Sequence, residues 1–296
     1  MEMFYTIAVV FILIFLTTAW TSKRTWLMTD LVATTVFGLI KLVYPHVLLQ
    51  TQTNIDFDST HVFLTRIYAT VILGSNVFYL LSRSSVDERV SSAVLSSRVL
   101  ATSCMLLSKF YVQVMEKNSP LTDEHLYFGF LGTLLWLLGN LIHIILNRPP
   151  EQFQGGSKNM NAFLGLDYYA TFLLGIAHLA FPQVVLLKLF RYTAIDGLHT
   201  HTTRLLGTML IASALLSQAA REFTYDKDKQ AVLLGRVLIP VLQLFVILYH
   251  HAALEALTVH QVLWMCGTLV GPALLNATLG IFMNPVKPPR GDKKYD

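Results

Sequence analysis

Four charged residues fall inside apolar runs of the chain: Asp30, Arg98, Asp167 and Arg236. A charge in hydrocarbon costs several kcal/mol unless it finds a partner or reaches water. Arg98 and Arg236 sit about seven and five residues into their runs, roughly 8–11 Å deep at about 1.5 Å per residue. Asp30 and Asp167 enter their own runs from the same side at matching depth. Asp30 with Arg98, and Asp167 with Arg236, are therefore expected as two buried pairs. Such a pair would either fix the register of two helices or serve function, as an ion or proton relay or an arginine site for an anionic head group. Arg66 and Arg204, at the opposite ends of spans, read as side chains that snorkel to water, and so do Lys41, Lys109 and Lys188.

Histidine and cysteine offer less. Ten histidines are present, among them His199-Thr200-His201 and His250-His251. Membrane di-iron lipid enzymes need H-x-x-x-H and H-x-x-H-H clusters, which this chain lacks, so neither a metal centre nor a cofactor is expected. Cys104 and Cys266 lie within apolar runs and read as packing residues rather than a disulfide or zinc site. No G-x-S-x-G elbow, P-loop, dinucleotide-binding glycine turn or D-x-x-x-D pair occurs. Nothing names a nucleophile or a base, and the reading leans away from an enzyme.

The elements that carry these residues are membrane spans. Of 296 residues, 54% are hydrophobic and 14% charged, whereas a soluble domain has about 25% charged residues. Apolar runs long enough to cross a hydrocarbon core of about 30 Å recur from end to end. They fall at about 4–20, 31–50, 61–82, 91–115, 125–147, 162–190, 203–221, 231–250 and 258–283. The expected fold is an all-α polytopic membrane protein of about nine transmembrane helices.

Basic residues follow the odd-numbered spans: Lys23 and Arg24, Arg83 and Arg89, Arg148 and Lys158, Lys227 and Lys229, then Lys287, Arg290, Lys293 and Lys294. The opposite connections hold Lys117, Arg191 and Arg204. By the positive-inside rule the carboxyl terminus is cytosolic and the amino terminus faces a lumen or the outside. The first run could also be a cleaved signal peptide, but MEMF carries no positive charge and its removal would invert the charge pattern. The net charge of +4 is spread over these connections rather than over one face, so no nucleic-acid partner is expected.

The chain also resembles itself. DLVATTVFGLIKLVYPHVLL aligns without gaps on DYYATFLLGIAHLAFPQVVL, pairing Asp30 with Asp167, Gly38 with Gly175 and Pro45 with Pro182. With a shift of one residue the register continues through Thr65/Thr203, Ser75/Ser213, Arg83/Arg221 and Arg98/Arg236, and a further slip pairs His125 with His260. Four spans per copy make two parallel repeats related by an axis along the membrane normal. The implied organisation is an amino-terminal span at 1–24, repeats at 25–150 and 151–283, and a tail at 284–296. The face that carries Gly38, Pro45, Gly175 and Pro182 either packs helices closely or lines a cavity between the halves.

The chain ends Lys293-Lys294-Tyr295-Asp296, which resembles the di-lysine retrieval signal read by coat proteins on the cytosolic side. Residence in the endoplasmic reticulum membrane is the corresponding expectation. Membrane lipid, coat proteins and other membrane subunits are the expected partners, the last through Gly267 and Gly271. For function the sequence favours carriage or binding of a small molecule or lipid between the repeats. The alternatives are a non-catalytic scaffold or assembly subunit, and then an enzyme of lipid metabolism.

Overall fold

Helix boundaries follow caps written in the sequence. The computed structural model describes residues 2–115, 119–147, 157–190 and 195–285. After α1 (Glu2–Ala19), the Ser22 hydroxyl accepts from the Thr25 backbone N–H and opens α2 (Lys23–Val43). Thr122 and Ser157 open α6 (Asp123–Leu146) and α7 (Lys158–Ala180) by the same device, which satisfies N–H groups a helix start leaves bare. The remaining helices are α3 (Pro45–Gln52), α4 (Ser59–Ser82), α5 (Glu88–Met115), α8 (Pro182–Leu189), α9 (Gly197–Ala220), α10 (Asp226–Ala252), α11 (Val259–Met265) and α12 (Gly271–Phe282). A π-helical turn at Cys266–Val270 joins the last two. Among the described residues the sole β pairing is an isolated bridge between Thr53 and Leu121.

Among the described residues, seven stretches are long and apolar enough to cross a membrane: α2, α4, α5, α6, α7, α10 and the continuous Val259–Phe282. Nine runs were expected, and α9 is not among the seven. For α9 the reason is its polar amino-terminal half, which lowers its hydropathy. It carries His199, Thr200, His201, Thr202, Thr203 and Arg204 in succession, and most of its length is buried inside the protein, so neighbouring helices rather than lipid are its solvent. By contrast Leu173, Phe245 and Leu263 stand well exposed on other helices, as lipid-facing side chains do.

Pro45 and Pro182 break their spans rather than bend them. Tyr44 (φ −119°, ψ 49°) ends α2 and Phe181 (φ −126°, ψ 48°) ends α7, and each proline then takes the first position of a new short helix. That position needs no N–H. Carbonyls left at the break must be satisfied within the protein, and Arg66 Nε donates to Leu42 O at 3.1 Å. Arg66 thus serves the break, and its guanidinium also meets His250 Nε2 at 3.0 Å, in place of the snorkelling expected from sequence.

The central helices are α4 and α9, which pack on each other. Around them α2 packs on α4 and α7 on α9, while α10 crosses to α4 and α5 crosses to α9; α6 covers α5, and α12 covers α10 and α7. α1 rests on this bundle through Phe15, which meets Trp26 and Trp136. The α7–α9 crossing brings backbones together: a Cβ on Gly207 would lie 2.6 Å from Leu179 N and 2.8 Å from Gly175 O. On α2, a Cβ on Gly38 would instead meet the tip of the Leu73 side chain at 2.9 Å. Side chains can yield where backbone cannot. Gly207→Ala is therefore expected to cost about 1–3 kcal/mol and Gly38→Ala clearly less, read as thermal midpoints of the detergent-purified protein.

Candidate functional site

Asp167 comes from α7 and Arg236 from α10. Both are 7% exposed, and Arg236 Nε lies 2.8 Å from Asp167 Oδ2. Two serines of α9, one helical turn apart, complete the shell. Ser213 accepts from the guanidinium through Oγ (2.5 Å) and its carbonyl (2.6 Å), and Ser217 Oγ accepts from Nε and donates to Asp167 at 2.5 Å. Three helices are held at one charge.

The second pair is built with different chemistry. Arg98 Nε on α5 donates to Asp30 Oδ2 on α2 at 3.1 Å, and Nη2 donates to Asn76 Oδ1 on α4 at 2.7 Å. Asn76 in turn donates to Thr35 and accepts from Thr34, and the guanidinium lies over the Trp136 ring, 5.7 Å from its centroid. The structure thus brings Asp30 to Arg98 and Asp167 to Arg236. Gly175 meets α9 by backbone and Gly38 meets Leu73. Lys293 and Lys294 lie outside the described residues. Lys109 is buried and donates to Gly129 O (2.6 Å) and Thr133 Oγ1 (3.0 Å), an internal role in place of the expected snorkelling.

A cavity of about 110 Å³ opens beside Asp167 and Arg236. Phe63, Leu64 and Ile67 of α4 form one wall. Leu174, Leu206, Ile247 and Val270 belong to the helices after residue 157, and the polar groups in the lining include His178, Thr171 and Gln243. A chamber of about 150 Å³ in another protein holds a benzene ring, whereas drug-sized ligands need roughly 300–1,000 Å³. The space is smaller than either, has room for a short apolar segment only, and borders one charged pair.

Sequence reading missed a second cluster, at the amino-terminal ends of α4 and α9. Asp58 and Asp196 cap these helices, and His61 and His199 return as the third residue of each in matched capping boxes. The two imidazoles stack with centroids 3.6 Å apart. The available signal was the register that pairs Thr65 with Thr203, which a few residues upstream also pairs Asp58 with Asp196 and His61 with His199. Burial alone would raise Asp196, but hydrogen bonds from His199 and His61 outweigh it and hold the carboxyl well below the usual aspartate range. Asp58 is lowered too, its burial being outweighed by the His61 backbone N–H and both imidazoles.

Seven long apolar helices among the described residues, with ion pairs buried between them, define a multi-pass helical membrane protein. The chain belongs to the family described as Domain of unknown function (DUF8292), whose model matches residues 28–282. No curated protein and no solved structure matches it.

Removing one partner of a buried pair strands the other at a cost of about 3–5 kcal/mol. Asp167→Asn and Arg236→Gln are each expected to lower the thermal midpoint and the folded yield, and the double variant to recover part of the loss. A double-mutant cycle on the purified protein measures this; additive losses would show that the pair contributes no coupling.

Proposed function

We propose that the protein binds or carries an apolar or amphipathic small molecule, such as a lipid chain with a polar head, within the bilayer. The cavity carries this reading. It has apolar walls, is fed by helices of both halves, and ends on a charged pair whose arginine could face an anionic or hydrogen-bonding head. In this reading the chain is one amino-terminal span followed by two parallel four-span repeats, with α1 and α9 also crossing. The matched pattern of helix, proline break, short helix and capping box in α2–α4 and α7–α9 supports the duplication. Asp167 and Arg236 sit at the head-group end, and the pseudo-twofold axis passes between α4 and α9.

A scaffold role is the second reading, and one observation favours it. Apart from its own chain neighbours and helix backbone, no described atom lies within 4 Å of where a Gly267 side chain would be, so this surface of the last span is open to a partner helix of another membrane subunit.

We place the protein in the endoplasmic reticulum with its tail in the cytosol, on the strength of the charge asymmetry and the terminal Lys293-Lys294. Lys293→Ser with Lys294→Ser is expected to release it to later compartments; unchanged localisation by microscopy would remove the retrieval signal from the proposal.

The binding reading is tested with a photo-crosslinkable fatty-acyl probe on the protein in proteoliposomes. Labelling is expected at cavity residues, and Leu206→Phe, which fills the space, is expected to reduce it at least about tenfold, a loss of about 1.4 kcal/mol. Leu173→Phe on the lipid-facing side of α7 is expected to leave it unchanged. Equal labelling of all three proteins would overturn the cavity assignment.

A further inference from the structure

Arg98 and Arg236 each lie against an aspartate, but three other cations within the bundle do not. Lys109 of α5 is buried, and Lys41 of α2 and Arg204 of α9 are half-buried. Among the described residues no aspartate or glutamate forms an ion pair with any of the three. Lys41 Nζ lies over the Tyr68 ring, 5.2 Å from its centroid. Arg204 lies over the Tyr111 ring at 4.2 Å, and among the described residues its buried Nη1 has no hydrogen-bond partner. An ammonium has three N–H donors, and Lys109 directs its own to Gly129 O and Thr133 Oγ1, both neutral. Rings and neutral oxygens soften these charges without cancelling them.

The three belong to one cluster. A Cβ on Gly129 would lie 2.9 Å from Lys109 Nζ and 3.4 Å from His125 Cε1, so an ammonium and an imidazole flank the same point of α6. His201 of α9 meets Ser108 Oγ, the neighbour of Lys109 in sequence, at 3.3 Å through Nδ1. His201 is 2% exposed, and among the described residues its Nε2 has no hydrogen-bond partner. Lys109 feels the charge of Lys41, His125 those of Lys109 and Lys41, and His201 those of Lys109, Arg204 and Lys41, while no described carboxylate acts on these groups. Lys109, Gly129 and Arg204 lie six or seven residues inside the ends of their helices, or roughly 9–11 Å at about 1.5 Å per residue. A positive cluster at that depth with no acidic partner is costly among membrane helices, and an anion relieves it.

We infer that Lys41, Lys109 and Arg204, with His125 and His201 beside them, bind one oxyanion of the phosphate class. Lysine meets such a group as a point charge and arginine through its planar fork. With Ser108 donating to Nδ1, the Nε2–H of His201 is a further buried donor. Lys41 and Arg204 are only half-buried, so the cluster is not sealed from outside. It stands apart from the cavity at Asp167 and Arg236, whose lining includes none of these five residues, and it does not rest on the binding reading made for that cavity. Basic pockets between transmembrane helices bind anionic lipid head groups, and the same chemistry would hold a free phosphate. In the topology proposed above, the site lies in the lumenal leaflet.

The test uses the full chain, purified and delipidated in an uncharged detergent, with three probes at constant ionic strength: phosphatidic acid in mixed micelles, diacylglycerol in the same micelles, and inorganic phosphate. Saturable binding of phosphatidic acid is expected by native mass spectrometry, together with a rise in thermal midpoint. Diacylglycerol, which has the chains without the phosphate, is expected to leave the midpoint where it was. A rise with inorganic phosphate but not with phosphatidic acid would support the site and make its ligand a soluble anion. Lys41→Gln and Arg204→Gln each remove a charged donor and are expected to weaken binding at least about tenfold. Without ligand, their midpoints are expected to equal or exceed that of the wild type, because each relieves repulsion; a merely structural role would lower them. Lys188→Gln, which removes an exposed lysine on α8, is expected to bind normally. Wild-type protein that binds neither phosphatidic acid nor phosphate, or that is stabilised as much by diacylglycerol, would overturn the site. Unchanged binding in the Lys41→Gln/Arg204→Gln double variant would overturn it as well.

Discussion

A guanidinium carries five N–H donors in one plane and a charge that cannot be titrated away, and in hydrocarbon there is no water to accept from it. Arg98 and Arg236 each meet that demand with side chains drawn from two other helices. Arg236 uses Asp167, Ser213 and Ser217; Arg98 uses Asp30 and Asn76. Helices placed this way cannot slide along one another without stranding a donor, so the arginines fix the depth of α2, α4 and α5 and of α7, α9 and α10. Leucine packing alone would tolerate a slip of a turn. The close crossings, such as Gly207 on Gly175 and Gly74 on Gly235, are built on that fixed depth.

Much of this was legible because hydrocarbon makes polar residues conspicuous. Asp30, Arg98, Asp167 and Arg236 stand out in apolar runs, and their depth from the ends of those runs already matches the aspartates with the arginines. Helices broken at Pro45 and Pro182 were harder to read, since an apolar run looks the same whether the chain continues straight or restarts; the cue was Arg66, whose role at the Leu42 carbonyl looked like surface exposure from its place near a span end. The Asp58, His61, Asp196 and His199 cluster escaped for a different reason. A search for neighbouring histidines finds His199 with His201, but His201 turns to Ser108, and the true neighbour of His199 lies in the other half of the chain. Only the packing of α4 on α9 brings them together.

α2–α4 and α7–α9 share a pattern of long helix, proline break, short helix and capping box but differ in the side chains they turn inward. In the register proposed for the repeat, Leu206 and Ile247 on the cavity correspond to Tyr68 and Lys109. Lys109 donates to a carbonyl and a hydroxyl of α6 and Tyr68 lies under Lys41. These positions carry polar side chains held by neighbouring groups where the cavity wall carries leucine and isoleucine.

The π-helical turn at Cys266–Val270 bears on the same wall of the cavity, through Met265, Leu269 and Val270. A helix advances about 100° per residue, so the one extra residue in a π turn rotates everything beyond it by that angle. The phase of the last span changes halfway along. Before the turn the span sets Met265 inward, and after it Ala277 and Gly280 meet the bundle while Leu275 and Phe282 face outward. One apolar run thereby serves two differently oriented walls, the first bordering the cavity and the second closing against α7 and α10.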